Sequence, residues 1–402
     1  MSLTASDRHE VHEVPSTHAL GESGGWAMRK VADLFAEADV RINPASPRPC
    51  DLVVHDERLF RRLIVDGTMG LGDAYVDGWW DCGAVDEFFD RVLSHDVPQR
   101  VGALDRHTLF DAVVQRVMNM QSLARAQRSA RRHYDLGNDL FQAMLDKRMA
   151  YTCAYWRDAD TLDDAQEDKL DLVCHKIDLR RGQRVLDAGC GWGAFAQFAG
   201  ERYDADVVGV TVSPQQVNLA RQRCDGLPVE IRLQDYREVN QQFDHVVSIG
   251  MLEHVGPKNY RTCLEKFHRC LSDYGLCLVH TMGARSSFPN AKDVEATWMT
   301  RRIFPGLVLP SMKQFGAAIE GLFVLEDVHN FGADYDRTCM SWFANFDAAW
   351  PRLRERYGGE RFYRMWKYYL LSAAGAFRSR KYQLWQFVLS KRGVRGGYVS
   401  VR

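Results

Sequence analysis

The chain has 402 residues, 46% of them hydrophobic, which is enough for a well-developed core in two domains or one large decorated one. Its 52 Lys and Arg nearly cancel 53 Asp and Glu, leaving a formal net charge of −1, so no global field draws it to nucleic acid and any membrane attraction is local. Ten cysteines without a C-x-x-C pair or a histidine-bearing metal spacing argue for a reducing, cytoplasmic setting and against a metal site, and no apolar run approaches the roughly 18 residues of a spanning helix.

Residues 1–25 are polar, lack the apolar stretch of a signal peptide and read as a disordered tail. Residues 26–115 predict a small, mostly helical unit, with helices over 28–38, 59–66 and 85–93 and an extended run over 50–55. Leu59, Phe60, Leu63, Ile64, Phe88, Phe89 and Val92 offer it a modest core. A basic linker follows over 116–132: no acidic residue occurs between Val113 and Tyr134, while Arg116, Arg125, Arg128, Arg131 and Arg132 add five positive charges. Such a stretch fits either a solvated helix face between domains or a contact with anionic lipid headgroups, at about 1 kcal/mol per basic residue near the surface.

Over 133–402 strand-like and helical segments alternate as in a doubly wound α/β domain. Strands are expected at 184–188, 206–211, 229–233, 245–249 and 276–281, with helices over 214–224 and 260–271. The segment 282–310 has the length of a substrate-covering insertion. A helix from 311, a strand over 323–328, two long helices within 335–378 and a strand over 383–389 complete the pattern. In such a sheet the ligand lies at the carboxyl ends of the strands where their order reverses, which brings together 189–193, 211–216, Gln234 with Asp235, and the turn 248–255.

The run Val185-Leu-Asp-Ala-Gly-Cys-Gly-Trp-Gly193 is a buried strand entering a glycine turn that opens a helix. Gly189, Gly191 and Gly193 let the backbone turn tightly around a ligand beside Cys190 and Trp192. The spacing is G-x-G-x-G, one residue short of the dinucleotide fingerprint, and no ribose-binding acid follows Thr211 before Asp225. These details favour S-adenosylmethionine (SAM) over a dinucleotide. Asp187 is placed to face a cationic amino-acid tail, and Gln216 to take the ribose. Asp235 fits an acceptor for the adenine amino group or a local cap.

Several stretches then carry a resemblance: Gly67-Thr-Met-Gly-Leu-Gly-Asp-Ala-Tyr-Val-Asp-Gly-Trp-Trp80, His133-Tyr-Asp-Leu-Gly-Asn-Asp-Leu-Phe141, Tyr151-Thr-Cys-Ala-Tyr-Trp156, Gly209-Val-Thr-Val-Ser213, Glu253-His-Val-Gly256 and His329-Asn-Phe-Gly-Ala-Asp-Tyr335. With the glycine turn, the chain resembles the cyclopropane-fatty-acyl-phospholipid synthases, relatives of the mycolic acid cyclopropane synthases. The resemblance implies a class I SAM-dependent methyltransferase fold (Rossmann-like, doubly wound) with a smaller helical amino-terminal domain for lipid binding and dimerisation. It implies transfer of a methylene unit from SAM to the cis double bond of an unsaturated acyl chain in a membrane phospholipid, on the inner face of the membrane.

An alkene is a weak nucleophile, and its methylation leaves a carbocation that must lose a proton before water captures it, so a base is needed beside a dry channel. The resemblance implies bicarbonate as that base, held by Glu253, His280, Tyr335, Cys153 and the backbone of Met282, with Tyr151 and Thr152 on SAM. Taken alone, Glu253 also fits a turn cap, His280 an interior histidine, Tyr335 a packing residue and Cys153 a small buried hydrophobe. Many relatives carry a cysteine where this chain has Ala373, which excludes a covalent thiol mechanism there. Phe343, Phe346, Trp350, Phe362, Trp366 and Tyr369 lie at helical spacings that fit core packing or an acyl channel. The rival readings are methylation without ring closure and a non-catalytic SAM- and lipid-binding protein.

Overall fold

A computed structural model describes residues 22–101, 136–287 and 297–402. The arginines of the basic linker over 116–132, and most of the expected tail, lie outside the described residues. The first helix, Glu22–Glu37, begins inside the stretch expected as tail. It turns Ala27, Val31, Leu34 and Phe35 inward at i, i+4, i+7 and i+8, so the amphipathic pattern reaches back further than its large residues suggest.

The helix expected over 59–66 continues as Arg58–Val76 through a kink at Gly67, where φ is 53°. Two short strands, β1 (Val53–Val54) and β2 (Trp80–Asp81), pair antiparallel beside it. Helix Val85–Ser94 packs along helix Glu360–Arg378. Gly375 permits this approach: a Cβ there would stand 2.5 Å from the Asp86 carbonyl oxygen. Arg378 bonds Asp86 and Asp336, each at 2.8 Å. The amino-terminal apolar residues therefore form one continuous hydrophobic cluster with Trp342, Trp366, Tyr368 and Phe377, a larger core than the modest one expected.

The central sheet has seven strands in the order β5-β4-β3-β6-β7-β9-β8. They are β3 (Arg184–Ala188), β4 (Asp206–Thr211), β5 (Val229–Leu233), β6 (Phe243–Ile249), β7 (Leu271–Ala284), β8 (Val324–Asn330) and β9 (Tyr382–Ser390). The first five in sequence run parallel, and β9 lies antiparallel between β7 and β8. After β5 the chain crosses to the other side of β3, so the order reverses between β3 and β6 and their carboxyl ends flank a cleft. The inner strands bury nearly every residue, as a sheet covered on both faces requires.

β7 is longer than the expected 276–281 because Asp273, Tyr274 and Gly275 interrupt its apolar run without ending the strand. Within the expected insertion, helix Thr297–Arg302 is tied to the amino-terminal unit: Trp298 Nε1 and Arg302 Nε both donate to Asp73 Oδ1, at 3.1 and 2.9 Å.

Candidate active site

The glycine turn hangs on β4, with the N–H groups of Gly189 and Cys190 both donating to the Val210 carbonyl at 3.0 Å. Gly189, Gly191 and Gly193 have φ of 89°, 56° and 83°, a region that favours glycine. A cavity of about 210 Å³ opens over this turn, lined also by Tyr151, Thr152, Thr211, Gln216, Gln234 and Asp235. Gly193 does not line it; this residue caps helix Ala194–Tyr203 and packs toward Ala220. Trp192 anchors the turn by donating from Nε1 to Asn138 Oδ1 at 3.0 Å.

Asp187, the penultimate residue of β3, is 2% exposed at this cavity, with one carboxylate oxygen lacking a hydrogen-bond partner among the described residues. Burial pushes its carboxyl up to about 7, against the lowering by Lys169 and the Ala196 N–H. Thr211 donates to Gln216 Oε1 at 2.7 Å, so the two residues expected near the ribose are already paired. Asp235 takes the cap arrangement: it accepts from the Arg237 N–H at 2.9 Å and from the Arg237 guanidinium on both oxygens at 2.8 Å.

Helix Leu162–Lys176, which the sequence reading passed over, completes the cavity. Lys169 donates to Thr152 Oγ1 at 3.0 Å, and Gln166 donates to the carbonyls of Ala150 and Thr152 at 3.1 and 2.8 Å. Burial lowers the Lys169 ammonium to about 8, with Asp146 and Asp187 among the groups that oppose it. The signal was present in the helix start: Thr161 caps Asp164 at 3.2 Å, and Asp163 and Asp164 fill the first turn.

A second cavity of about 70 Å³ adjoins the first, sharing Tyr151, Thr152, Gly250, His254 and Phe304. It gathers Glu253, His280, Met282 and Tyr335. Glu253 stands on a turn after β6, His280 on β7 beside Ile249, and Tyr335 in the first turn of helix Asp334–Leu353. The Met282 N–H donates to Glu253 Oε1 at 2.6 Å and so orients this carboxyl. Glu253 Oε2 and His280 Nε2 are buried without a partner among the described residues.

Burial pushes the Glu253 carboxyl up to about 7, opposed by its own N–H, the Met282 N–H and the Thr281 hydroxyl. Burial holds the His280 imidazole well below its ordinary value, reinforced by Lys169 and Lys176, and Tyr335 well above, so the first is neutral and the second protonated. Gln386, directly opposite His280 on β9, places its amide nitrogen 3.3 Å from Nδ1, while Nε2 faces the cavity side without a partner among the described residues.

Cys153 is fully buried and lines neither cavity; its Sγ lies 3.2 Å from the Ala154 carbonyl oxygen. The following segment is pulled onto helix Asp334–Leu353, where the Ala154 N–H and Trp156 Nε1 both bond Thr338 Oγ1. Burial raises the Cys153 thiol well above its ordinary value, which keeps it protonated. Ala373 lines the second cavity and brings no thiol. Of the aromatic residues singled out, Phe346, Trp350, Phe362 and Trp366 stack within the helical hairpin, and Tyr369 reaches the cavity, its hydroxyl 2.8 Å from that of Tyr151.

The reversed sheet order with one antiparallel strand, and a cavity over the glycine turn, define a class I SAM-dependent methyltransferase fold. A family model described as mycolic acid cyclopropane synthetase matches residues 121–387. The cyclopropane-fatty-acyl-phospholipid synthase of Escherichia coli (strain K12) is 47% identical over 365 residues, covering 91% of this chain and 93% of that protein. Among solved structures, a cyclopropane synthase from Mycobacterium tuberculosis aligns with TM-score 0.62 and 28% identity, over 66% of this chain and 98% of its own. A mycolic acid cyclopropane synthase complexed with SAH and CTAB does so with TM-score 0.62, 31% identity and the same shares of 66% and 98%. The chain belongs to the mycolic acid cyclopropane synthetase family, and its match to the Escherichia coli synthase spans the amino-terminal unit as well.

Proposed function

We propose that this chain is a cyclopropane-fatty-acyl-phospholipid synthase, which uses SAM to convert the cis double bond of an unsaturated acyl chain in a membrane phospholipid into a cyclopropane ring. The carrying observation is the pair of buried, unpartnered atoms Glu253 Oε2 and His280 Nε2 in a cavity that adjoins the cavity of the glycine turn. SAM, when bound, supplies an activated methyl group on a cationic sulfur. Asp187 would face the ammonium of its amino-acid tail, and Lys169, with Thr152, its carboxylate; an unpartnered buried carboxyl beside a buried amine suits a zwitterion.

Bicarbonate also fits the residues present: when bound it supplies the base that removes a proton from the transferred methyl group. Neutral His280 would donate from Nε2 and Tyr335 from its hydroxyl, while Glu253 would hold the ion through the ion's acidic hydrogen, and that shared proton offsets the like-charge penalty of a carboxylate beside an anion. The rings of Tyr151, Phe304, Trp342 and Tyr369 surround the junction of the two cavities, where aromatic faces stabilise a cation by about 0.5 to 2 kcal/mol and exclude water.

The site-residue roles, the division into tail (1–25), lipid-binding and dimerisation unit (26–115), basic linker (116–132) and catalytic domain (133–402), a homodimer, and a cytoplasmic enzyme on the inner membrane face are parts of the same reading. The five arginines over 116–132 support the membrane contact. Among the described residues no helix is long and apolar enough to cross a membrane. Labelled SAM and unsaturated phospholipid vesicles test the reaction. An acyl product heavier by one methylene with high-field cyclopropane protons is expected; olefinic or methyl-branch protons in its place would favour methylation without closure, and no product would refute the reading.

A further inference from the structure

Beyond the acceptor cavity lies an apolar pocket of about 50 Å³ that the reaction leaves without a role. Helices Glu22–Glu37, Arg58–Val76, Val85–Ser94 and Val97–Val101 of the amino-terminal unit enclose it together with helices Thr297–Arg302 and Glu360–Arg378. The last of these helices is the partition. Tyr369, Ala373 and Phe377 line the acceptor cavity, whereas Tyr368, Ser372 and Ala376, each one residue earlier, line the pocket. Rows one residue apart are turned by about 100°, so a single helix presents neighbouring faces to both spaces. The partition has an edge at Met299 and Tyr382, half-buried residues that line both sides.

We propose that this pocket receives the methyl-terminal end of the acyl chain, which passes from the acceptor cavity between Met299 and Tyr382; the proposal rests on the acyl acceptor argued above. No charged side chain is among the pocket's lining residues, so it offers nothing to a phosphate headgroup. Ser372 turns its hydroxyl back to the Tyr369 carbonyl at 3.2 Å, which leaves that wall apolar too. Hydrocarbon gains roughly fourfold in affinity for each methylene buried. The amino-terminal unit thereby acquires a direct part in substrate choice: four of its helices line the end of the channel.

Ser372→Leu and Val92→Phe narrow the pocket from two walls, and neither residue lines the acceptor cavity. Vesicles carrying palmitoleoyl and oleoyl chains provide the assay, since these share the distance from carboxyl to double bond and differ by two methylenes at the methyl end. Each variant is expected to lower the oleoyl to palmitoleoyl ratio of kcat/KM by about 15-fold, the loss of two buried methylenes, with the palmitoleoyl rate retained. An unchanged ratio, or equal loss on both chains in a protein that melts like the wild type, would overturn the proposal. If the narrowed variants do not fold, Phe89→Leu carries the test in the other direction: enlarging the pocket is expected to favour chains two methylenes longer, and no change overturns the proposal. A wild-type protein inactive on both chains would instead refute the acceptor reading beneath it.

Discussion

Glu253 is 1% exposed, with one oxygen held by the Met282 N–H and the other unpartnered in the acceptor cavity. Burial moves its carboxyl from 4.5 to about 7. At about 1.4 kcal/mol per pH unit, the ionised form costs the folded state about 3 kcal/mol relative to the unfolded chain. Between these two values the folded protein binds more protons than the unfolded one, so this residue's effect on stability worsens as pH rises through the window and levels off above about 7. Glu253→Gln keeps the shape and the acceptor for Met282 but cannot ionise. The variant is therefore expected to be more stable than the wild type, by a margin that grows by about 2 kcal/mol from pH 5.5 to pH 8. Its turnover should meanwhile fall by about 10²–10⁴, as for loss of a proton-handling group. Urea unfolding of both proteins at the two pH values, with vesicle assays alongside, provides the measurement. A stability difference that is flat with pH would refute the buried-carboxyl argument, and retained turnover would refute the role in the reaction.

Lys169→Met is expected to weaken binding of S-adenosylhomocysteine by about 10- to 100-fold, the worth of a hydrogen bond to a charged group, while 5′-methylthioadenosine, which lacks the amino-acid tail, binds unchanged by calorimetry. Equal weakening of both would remove Lys169 from carboxylate recognition. Gly250 has φ 69°, and a Cβ there would stand 2.6 Å from Thr152 Cγ2. Gly250→Ala should lower the melting temperature and raise KM for SAM, with the KM effect partly relieved by Thr152→Ser, which removes the opposing methyl group; no relief would mean that backbone strain alone is responsible. Gly375→Ala puts a methyl 2.5 Å from the Asp86 carbonyl oxygen and should cost about 1–3 kcal/mol in denaturant unfolding; a neutral result would show that the two helices part easily.

The donor half of the site was legible because its demands fall on the backbone. A turn with φ of 89°, 56° and 83° at alternate residues needs glycine at each, the strands β3 and β4 are short, largely apolar runs, and β5 alternates Val229, Ile231 and Leu233 with Glu230 and Arg232. Helix Leu162–Lys176 escaped notice because it buries Gln166, Lys169 and Lys176, which break the apolar periodicity on its inward face. The roles of Glu253, His280 and Tyr335 came from resemblance, since nothing in their spacing brings them together. Strand pairing sets Ile249 beside His280, and Glu253 follows four residues after Ile249, while Tyr335 arrives from a helix after β8. Met282 comes to the same place through β7, where its N–H bonds Glu253 Oε1.

The donor cavity pairs a carboxyl raised to about 7 with an amine lowered to about 8, both by burial, so around pH 7.5 both groups sit close to their midpoints and each is only partly charged. SAM brings a tail ammonium and carboxylate that restore the charged forms of both. Below pH 7 Asp187 is mostly protonated and Lys169 already charged, so binding is expected to release protons. Above pH 8 Asp187 is already ionised, and Lys169 and the ligand amine, whose ordinary value is about 8, are partly neutral, so binding should take protons up. Calorimetric titration with S-adenosylhomocysteine in buffers of different ionisation enthalpy reads this linkage directly, and its sign is expected to invert between about pH 7 and pH 8. Asp187→Asn should abolish the release and Lys169→Met should reduce the uptake. A linkage of one sign throughout would mean that the tail does not meet both groups, and Lys169 would then act only by holding the Thr152 hydroxyl, 3.0 Å away.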